Sequence, residues 1–169
     1  MKNLVLLRHA KSSWDYDVAD RNRPLAKKGI QRIQAMAKVC ESTFTSVQQY
    51  YSSPANRALH TATILFHELQ LPMKRLQLDE ALYTFEASKV LTAIDRLPDE
   101  LDSVCFVGHN PALTYVAAKL TDNLIQHMPQ PPEPLNPKLC VWGGGGGIGL
   151  VEGGGVGGGG GGCVGCDRW

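Results

Sequence analysis

Histidine and arginine side chains that could bind a phosphoryl group occur at three separate points of the sequence. Arg8 and His9 follow one apolar run, His109 follows another, and Arg57 lies in the polar segment that begins at Ser53. A guanidinium offers a planar fork for two phosphate oxygens. Two imidazoles and two guanidiniums in one crevice would repel each other, and a bound phosphoryl group would offset that repulsion. The residue types therefore predict a site for a phosphorylated ligand.

Each of these residues also has an ordinary structural explanation. Arg8 and His9 could form a surface pair at the end of a strand. His109 is more specific, because Gly108 permits a close backbone approach and Pro111 can begin a helix. The remaining histidines are predicted to occupy solvated or structural positions: His60, His67 and His127.

Strands and helices alternate along residues 1–128. Continuous apolar runs predict buried strands, and apolar residues at helical spacing predict helices between them. The predicted strands are 3–7, 48–52, 74–78 and 103–107, and the predicted helices are 23–40, 54–68, 87–97 and 111–120. This order predicts an α/β fold, a three-layer α/β/α sandwich with a mostly parallel central sheet. Ligands of such sheets bind beyond the carboxyl ends of the strands. The arginines and histidines singled out above are predicted to lie at these ends.

Composition narrows the class of protein. The chain has 169 residues, of which 43% are hydrophobic, and this length excludes two large domains. A net charge of +1 gives no electrostatic basis for binding nucleic acid or an anionic membrane. No signal peptide and no apolar run of bilayer length is expected. Cys40 and Cys105 lie in apolar segments typical of reduced, buried thiols, so a cytoplasmic location is expected.

Residues 129–169 differ in composition from the rest of the chain. Prolines and then glycine runs dominate this segment, and no helical or strand period is visible in it. Three explanations fit this composition: a natural extension, glycines written in place of unassigned residues, or a coding frame shifted near Pro129. The residue types of the segment share G-rich codons, which favours the shifted frame. Cys163 and Cys166 with Cys140 form at most half of a metal site, so no metal is predicted. We divide the chain into a catalytic domain, 1–128, and this tail, where further sheet structure would be expected.

Four sequence motifs in register resemble the histidine phosphatase superfamily, whose fold is phosphoglycerate mutase-like. They are Leu6-Leu7-Arg8-His9-Ala10, Arg23-Pro24-Leu25 with Gly29, Ser52-Ser53-Pro54-Ala55-Asn56-Arg57-Ala58 with Thr61-Ala62, and Val107-Gly108-His109-Asn110-Pro111. Together they cover most of residues 1–128. The short chain and the segments 8–14 and 20–25 are more similar to the SixA-type phosphohistidine phosphatases than to the phosphoglycerate mutases. One difference is Ala10, which replaces the commoner glycine.

The resemblance implies a role for each matched residue. His9 would be the nucleophile that becomes transiently phosphorylated. Arg8, Arg57 and His109 would bind the phosphoryl oxygens and stabilise the transition state. Neither a metal nor another cofactor is implied. The superfamily usually supplies a carboxylic acid after the third strand, for which Glu80 is the nearest candidate and Asp79 the second.

The resemblance leads to three functional hypotheses. The first is a metal-independent phosphatase acting on phosphohistidine in a protein partner, since little sequence between the motifs could form a lid. The second is a phosphatase of small phosphomonoesters. The third is a catalytically idle phosphate-binding module, against which the intact His9, Arg57 and His109 argue.

Overall fold

The central element of the fold is a six-stranded sheet with helices on both faces. A computed structural model describes residues 3–120, 138–143 and 147–152, the last two segments through their strand pairing. The strands are β1 (Asn3–Arg8), β2 (Gln49–Ser52), β3 (Leu76–Leu78), β4 (Ser103–Gly108), β5 (Lys138–Gly143) and β6 (Gly147–Glu152). The helices are α1 (Lys27–Val39), α2 (Glu41–Thr45), α3 (Asn56–Glu68), α4 (Ala87–Asp95) and α5 (Ala112–Leu120). Within these residues, no helix combines the length and hydrophobicity needed to cross a bilayer.

The strand order is β3-β2-β4-β1-β5-β6, and the first four strands in this order are parallel. The predicted α/β sandwich with a mostly parallel sheet is therefore confirmed. In the β1–β4 pair, Arg8 lies opposite Gly108, and in the β2–β4 pair, Ser52 lies opposite Val107. The residues that follow these three strands consequently meet at one edge of the sheet.

Two apolar clusters, one on each face of the sheet, make up the core. Alternate residues of β1 divide between them, with Val5 and Leu7 in the first cluster and Leu4 and Leu6 in the second. The first cluster packs under α1, α2 and α3, and the second under α4 and α5. Both faces of β1 are thus buried, which explains its uninterrupted apolar sequence.

Two strands lie in the tail, where further sheet structure is expected although the sequence shows no strand period after residue 129. β5 pairs antiparallel with β1, and β6 pairs antiparallel with β5. Ladder hydrogen bonds join backbone groups, so two segments can pair without the alternation of polar and apolar side chains by which strands are usually recognised. β1 is therefore an interior strand, bonded to β4 on one side and to β5 on the other.

Candidate functional site

Backbone hydrogen bonds bring His9, Ser53 and His109 together at the carboxyl edge of the sheet. The His9 amide donates to the Gly108 carbonyl over 3.0 Å, and the Ser53 amide donates to the Val107 carbonyl over 2.9 Å. The rings of His9 and His109 are 5.1 Å apart between centroids. The two histidines predicted from separate motifs therefore share one site.

The ring of His9 is held in one orientation by its own neighbour. Its Nδ1 lies 2.8 Å from the Ala10 carbonyl oxygen, so Nδ1 carries the proton and donates it to that carbonyl. The Ala10 amide in turn donates to Thr61 Oγ1 on α3 over 2.9 Å. Burial lowers the pKa of His9 to about 4, and repulsion by Arg57 and Arg8 adds to this effect. The ring is thus neutral at pH 7, with the lone pair on Nε2.

His109 is buried and has one polar partner. Its Nε2 lies 2.8 Å from Ser53 Oγ, while its Nδ1 has no hydrogen-bond partner among the described residues. Burial, followed by repulsion from His9 and Arg57, lowers its pKa to about 3. If the Ser53 hydroxyl donates to Nε2, the proton of the neutral ring lies on Nδ1, and an incoming oxyanion would satisfy this otherwise unpaired donor.

Asp20 holds the guanidinium of Arg57 in place. Arg57 Nη1 donates to the Asp20 carbonyl oxygen over 2.6 Å, and Nη2 donates to Oδ2 over 2.8 Å. The same carboxylate accepts from Arg23 Nη1 over 3.0 Å and from the Tyr83 hydroxyl over 3.0 Å. Hydrogen bonds from Arg57, Arg23 and Tyr83 lower the pKa of Asp20 and outweigh the opposing effect of its burial. Two N–H groups of Arg57 are used in this way, which leaves three of its five for a phosphoryl group.

Arg8 completes the positive side of the site. Its side chain is half-buried, and burial lowers the pKa of its guanidinium. It lies near enough to both histidines to lower the pKa of each ring. The structure therefore gathers all four predicted residues, Arg8, His9, Arg57 and His109, around one point.

The two carboxylates proposed as a general acid have other partners. Glu80 begins a 3-10 turn, Glu80–Leu82, and accepts a hydrogen bond from Arg21 at the protein surface. Asp79 Oδ1 accepts from the Ala81 amide over 2.8 Å and so caps the same turn. Neither contact places a proton donor beside His9, and the role of Glu80 remains a prediction.

The sequence also contains three further histidines and a pair of cysteines in the tail. His60 and His67 lie exposed on α3. His127, Cys163 and Cys166 lie outside the described residues. In the part of the chain that the structure describes, no group of three or more His, Cys, Asp and Glu side chains is arranged to hold a metal.

Sequence reasoning missed Asp20 as a member of the site. It lies in a 3-10 turn, Asp20–Asn22, that is far from Arg57 in sequence. Its one sequence signal was its position just before Arg23-Pro24-Leu25. Together, these contacts place a neutral imidazole with a lone pair on Nε2, a buried ring nitrogen without a hydrogen-bond partner among the described residues and two guanidiniums in one site. Such a set of groups is suited to binding and accepting a phosphoryl group.

We expect Arg57→Ala to weaken inhibition by vanadate or phosphate by about 1.5–3 kcal/mol, the contribution of a charged hydrogen bond. Arg8→Ala should have an effect of similar size. Arg57→Lys should restore only part of the loss, because one ammonium cannot bind Asp20 and also present a fork to the anion. Inhibition constants measured for the three variants test this, and a lysine variant equal to the wild type would show that only charge matters at residue 57.

The pKa of His9 predicts the pH dependence of turnover. Since its folded-state pKa is about 4, the ring stays neutral at pH 5–7, where an ordinary histidine would gain a proton. The kcat/KM for p-nitrophenyl phosphate should therefore show no loss from this group near pH 6.5, and should fall as the pH drops through about 4. A decline centred near pH 6.5 that is absent from a substrate-independent control of protein stability would contradict this assignment.

A family model matches the part of the sequence that contains Arg8, His9 and Arg57. The model described as histidine phosphatase superfamily (branch 1) matches residues 4–83. An uncharacterized protein of Mycobacterium tuberculosis is 30% identical over 115 residues, which cover 68% of this chain and 69% of the relative.

Solved structures share the fold. A crystal structure described as a phosphohistidine phosphatase SixA from Agrobacterium tumefaciens superposes with a TM-score of 0.71 and 23% identity. The alignment covers 83% of this chain and 89% of that one. The protein histidine phosphatase SixA complexed with tungstate gives a TM-score of 0.67 at 22% identity, over 82% of this chain and 86% of that one. At these identities the likeness concerns the fold.

Proposed function

The chain belongs to the histidine phosphatase superfamily, and from this membership we propose that it is a phosphohistidine phosphatase that works through a phosphorylated His9. The observation that carries the proposal is the neutral His9 ring, whose Nδ1–H is held by the Ala10 carbonyl beside the unpaired Nδ1 of buried His109. The centroids of the two rings are 5.1 Å apart, so a phosphoryl group attacked by His9 lies within reach of His109. A catalytically idle phosphate-binding module would have no need for the oriented lone pair.

In the first step, His9 Nε2 attacks phosphorus while the bond between phosphorus and the substrate nitrogen breaks. The departing imidazole takes the electron pair of that bond and a proton from solvent. His9 then carries the phosphoryl group and a positive ring, and the Ala10 carbonyl stabilises this ring through Nδ1–H. Arg8, Arg57 and His109 bind the phosphoryl oxygens throughout.

In the second step, water attacks phosphorus and the bond to His9 Nε2 breaks. The electron pair returns to Nε2, which leaves the ring neutral again. Inorganic phosphate and one proton are released. The low pKa of His9, about 4, favours this return to the neutral ring.

The carboxylates near the site favour a nitrogen leaving group over an alcohol. The pKa of Asp20 is held down by its arginine and tyrosine partners, and Glu80 is bound to Arg21, so neither is poised to protonate an alkoxide. An imidazole leaves readily and takes its proton from solvent, whereas an alcohol phosphate requires acid assistance. A protein partner that carries phosphohistidine is consistent with this chemistry, and we place the reaction in the cytoplasm, where the free, buried thiols of Cys40 and Cys105 stay reduced.

A substrate panel in the presence of a chelator tests the proposal. The purified protein is given a phosphohistidine peptide, sugar phosphates and p-nitrophenyl phosphate, and kcat/KM is measured for each. We expect the phosphohistidine peptide to be the best substrate by about tenfold or more, with no loss on chelation. Preference for a sugar phosphate would favour a small-molecule phosphatase, and vanadate binding without any turnover would indicate an idle module.

A further inference from the structure

Phe85 is a large apolar side chain exposed beside the proposed phosphoryl site. Its ring is 5.9 Å from the His109 ring between centroids, at an interplanar angle of 68°. Nevertheless, the residue is 56% exposed to solvent. His109 itself is only 1% exposed, so the phenyl ring extends from the buried histidine to the protein surface.

The segment that carries Phe85 is anchored on both sides. Leu82, which is 1% exposed, lies in the second apolar cluster, and Thr84 is buried at 7% exposure. The Glu86 amide donates to Thr84 Oγ1 over 3.1 Å, and α4 begins at the next residue. The backbone that carries Phe85 is therefore held in place on both sides, and the phenyl ring is exposed because of the position of this backbone.

Tyr83, the other aromatic ring beside His109, is already engaged. Its ring lies 5.6 Å from His109, its hydroxyl donates to Asp20, and the guanidinium of Arg21 lies 5.6 Å from its ring centroid. Among the described residues, the one ring contact of Phe85 is with His109. Phe85 is thus the aromatic surface at this site that a ligand could still cover.

We propose that Phe85 determines specificity by stacking against the imidazole ring of the leaving group, and this inference rests on the proposed phosphohistidine phosphatase function. The ring of phosphohistidine is bonded directly to phosphorus. A phosphoryl group held by His109 therefore places that ring next to the phenyl side chain, which contacts the same histidine. Aromatic pairs gain from offset or edge-to-face contact beyond the area they bury, and a protonated imidazole gains further from the negative face of the phenyl ring. A sugar phosphate offers no aromatic face at this position.

Two variants distinguish an aromatic contact of Phe85 from the effect of its apolar volume. Phe85→Leu keeps apolar volume but removes the aromatic face, and Phe85→Ala removes both. Tyr115→Leu serves as a matched control, because Tyr115 is 62% exposed on α5 and has no role in the proposed site. Each protein is first checked by thermal melting, which should change little for these exposed side chains.

The substrates are a phosphohistidine peptide and phosphoramidate, which shares the phosphorus–nitrogen bond but has no ring. We expect Phe85→Leu to raise KM for the peptide by about 3- to 10-fold, with less than a twofold change for phosphoramidate. Tyr115→Leu should leave both constants unchanged. Equal losses on both substrates, or no loss on the peptide, would overturn the role of Phe85. If the wild type hydrolyses neither substrate, the proposed function itself has failed, and this outcome is recognisable without any variant.

Discussion

Replacing His9 by alanine is expected to reduce phosphatase turnover by at least about 10⁴-fold, because the substitution removes the Nε2 lone pair that is proposed to attack phosphorus. Among the residues that the structure describes, the second imidazole of the site is that of His109, whose Nε2 is hydrogen-bonded to Ser53. The fold should persist, since the one side-chain hydrogen bond found for His9 is to the carbonyl of the adjacent residue. Turnover of p-nitrophenyl phosphate and thermal melting, measured on the same preparation, test the two halves of this expectation.

The phosphorylated intermediate gives a direct check of the same assignment. A phosphoenzyme trapped by a rapid, acid-free quench should carry its label on His9, and His9→Ala should carry none. His67→Ala is a suitable control, because the His67 side chain is 87% exposed on α3 and should leave both labelling and turnover unchanged. Label on His109 or on a serine would identify a different nucleophile.

Gly29→Ala is expected to destabilise the protein by about 3 kcal/mol, although alanine is the better helix former by about 1 kcal/mol. A Cβ at residue 29 would lie 2.2 Å from the Lys11 carbonyl oxygen and 2.9 Å from the Lys11 amide nitrogen. These are backbone atoms that cannot rotate away, so α1 would have to move from the segment that follows β1. That movement would break the bond of 2.8 Å from the Ala26 amide to the Lys11 carbonyl and loosen Ile33 in the core.

Gly108→Ala is the matched control for this prediction. A Cβ there would lie 3.6 Å from the nearest atoms of the Leu113 side chain, which is ordinary van der Waals contact. We expect it to cost less than about 1 kcal/mol, whereas Gly29→Ala should lower the melting temperature by about 6–12 °C. Equal melting temperatures for the two variants would show that α1 adjusts freely to the added methyl group.

The strongly periodic elements of this fold were predictable from sequence. The run 3–7 and the helix stripe around Ile33 and Ala37 appear as β1 and α1 with shifts of a few residues at their ends. The five-residue helix α2, Glu41–Thr45, was not predicted, because one short turn carries too few apolar positions to show a period. Further sheet structure was expected in the tail, but the positions of β5 and β6 could not be predicted, because no alternation of polar and apolar side chains marks them.

The residues of the candidate site could be predicted from the sequence, but the charges of its two histidines could not. The motifs predicted His9, Arg57 and His109 at the ends of strands. Their residue types suggested several positively charged side chains that repel one another. The structure differs because burial keeps both imidazoles neutral, as their low pKa values indicate. Asp20 then supplies a negative charge directly to Arg57. Neither effect is local in sequence, since burial and the contact with Asp20 both depend on the complete fold.

The contact between Asp20 and Arg57 has a consequence for the response of the protein to salt. Arg57 already has a counter-ion of its own, so the empty site has less need to recruit chloride or sulfate from the buffer. A dianion that adds to such a site displaces few solution ions, and its affinity should fall only weakly with rising ionic strength. The inhibition constant of vanadate should therefore change little when chloride is added to the buffer.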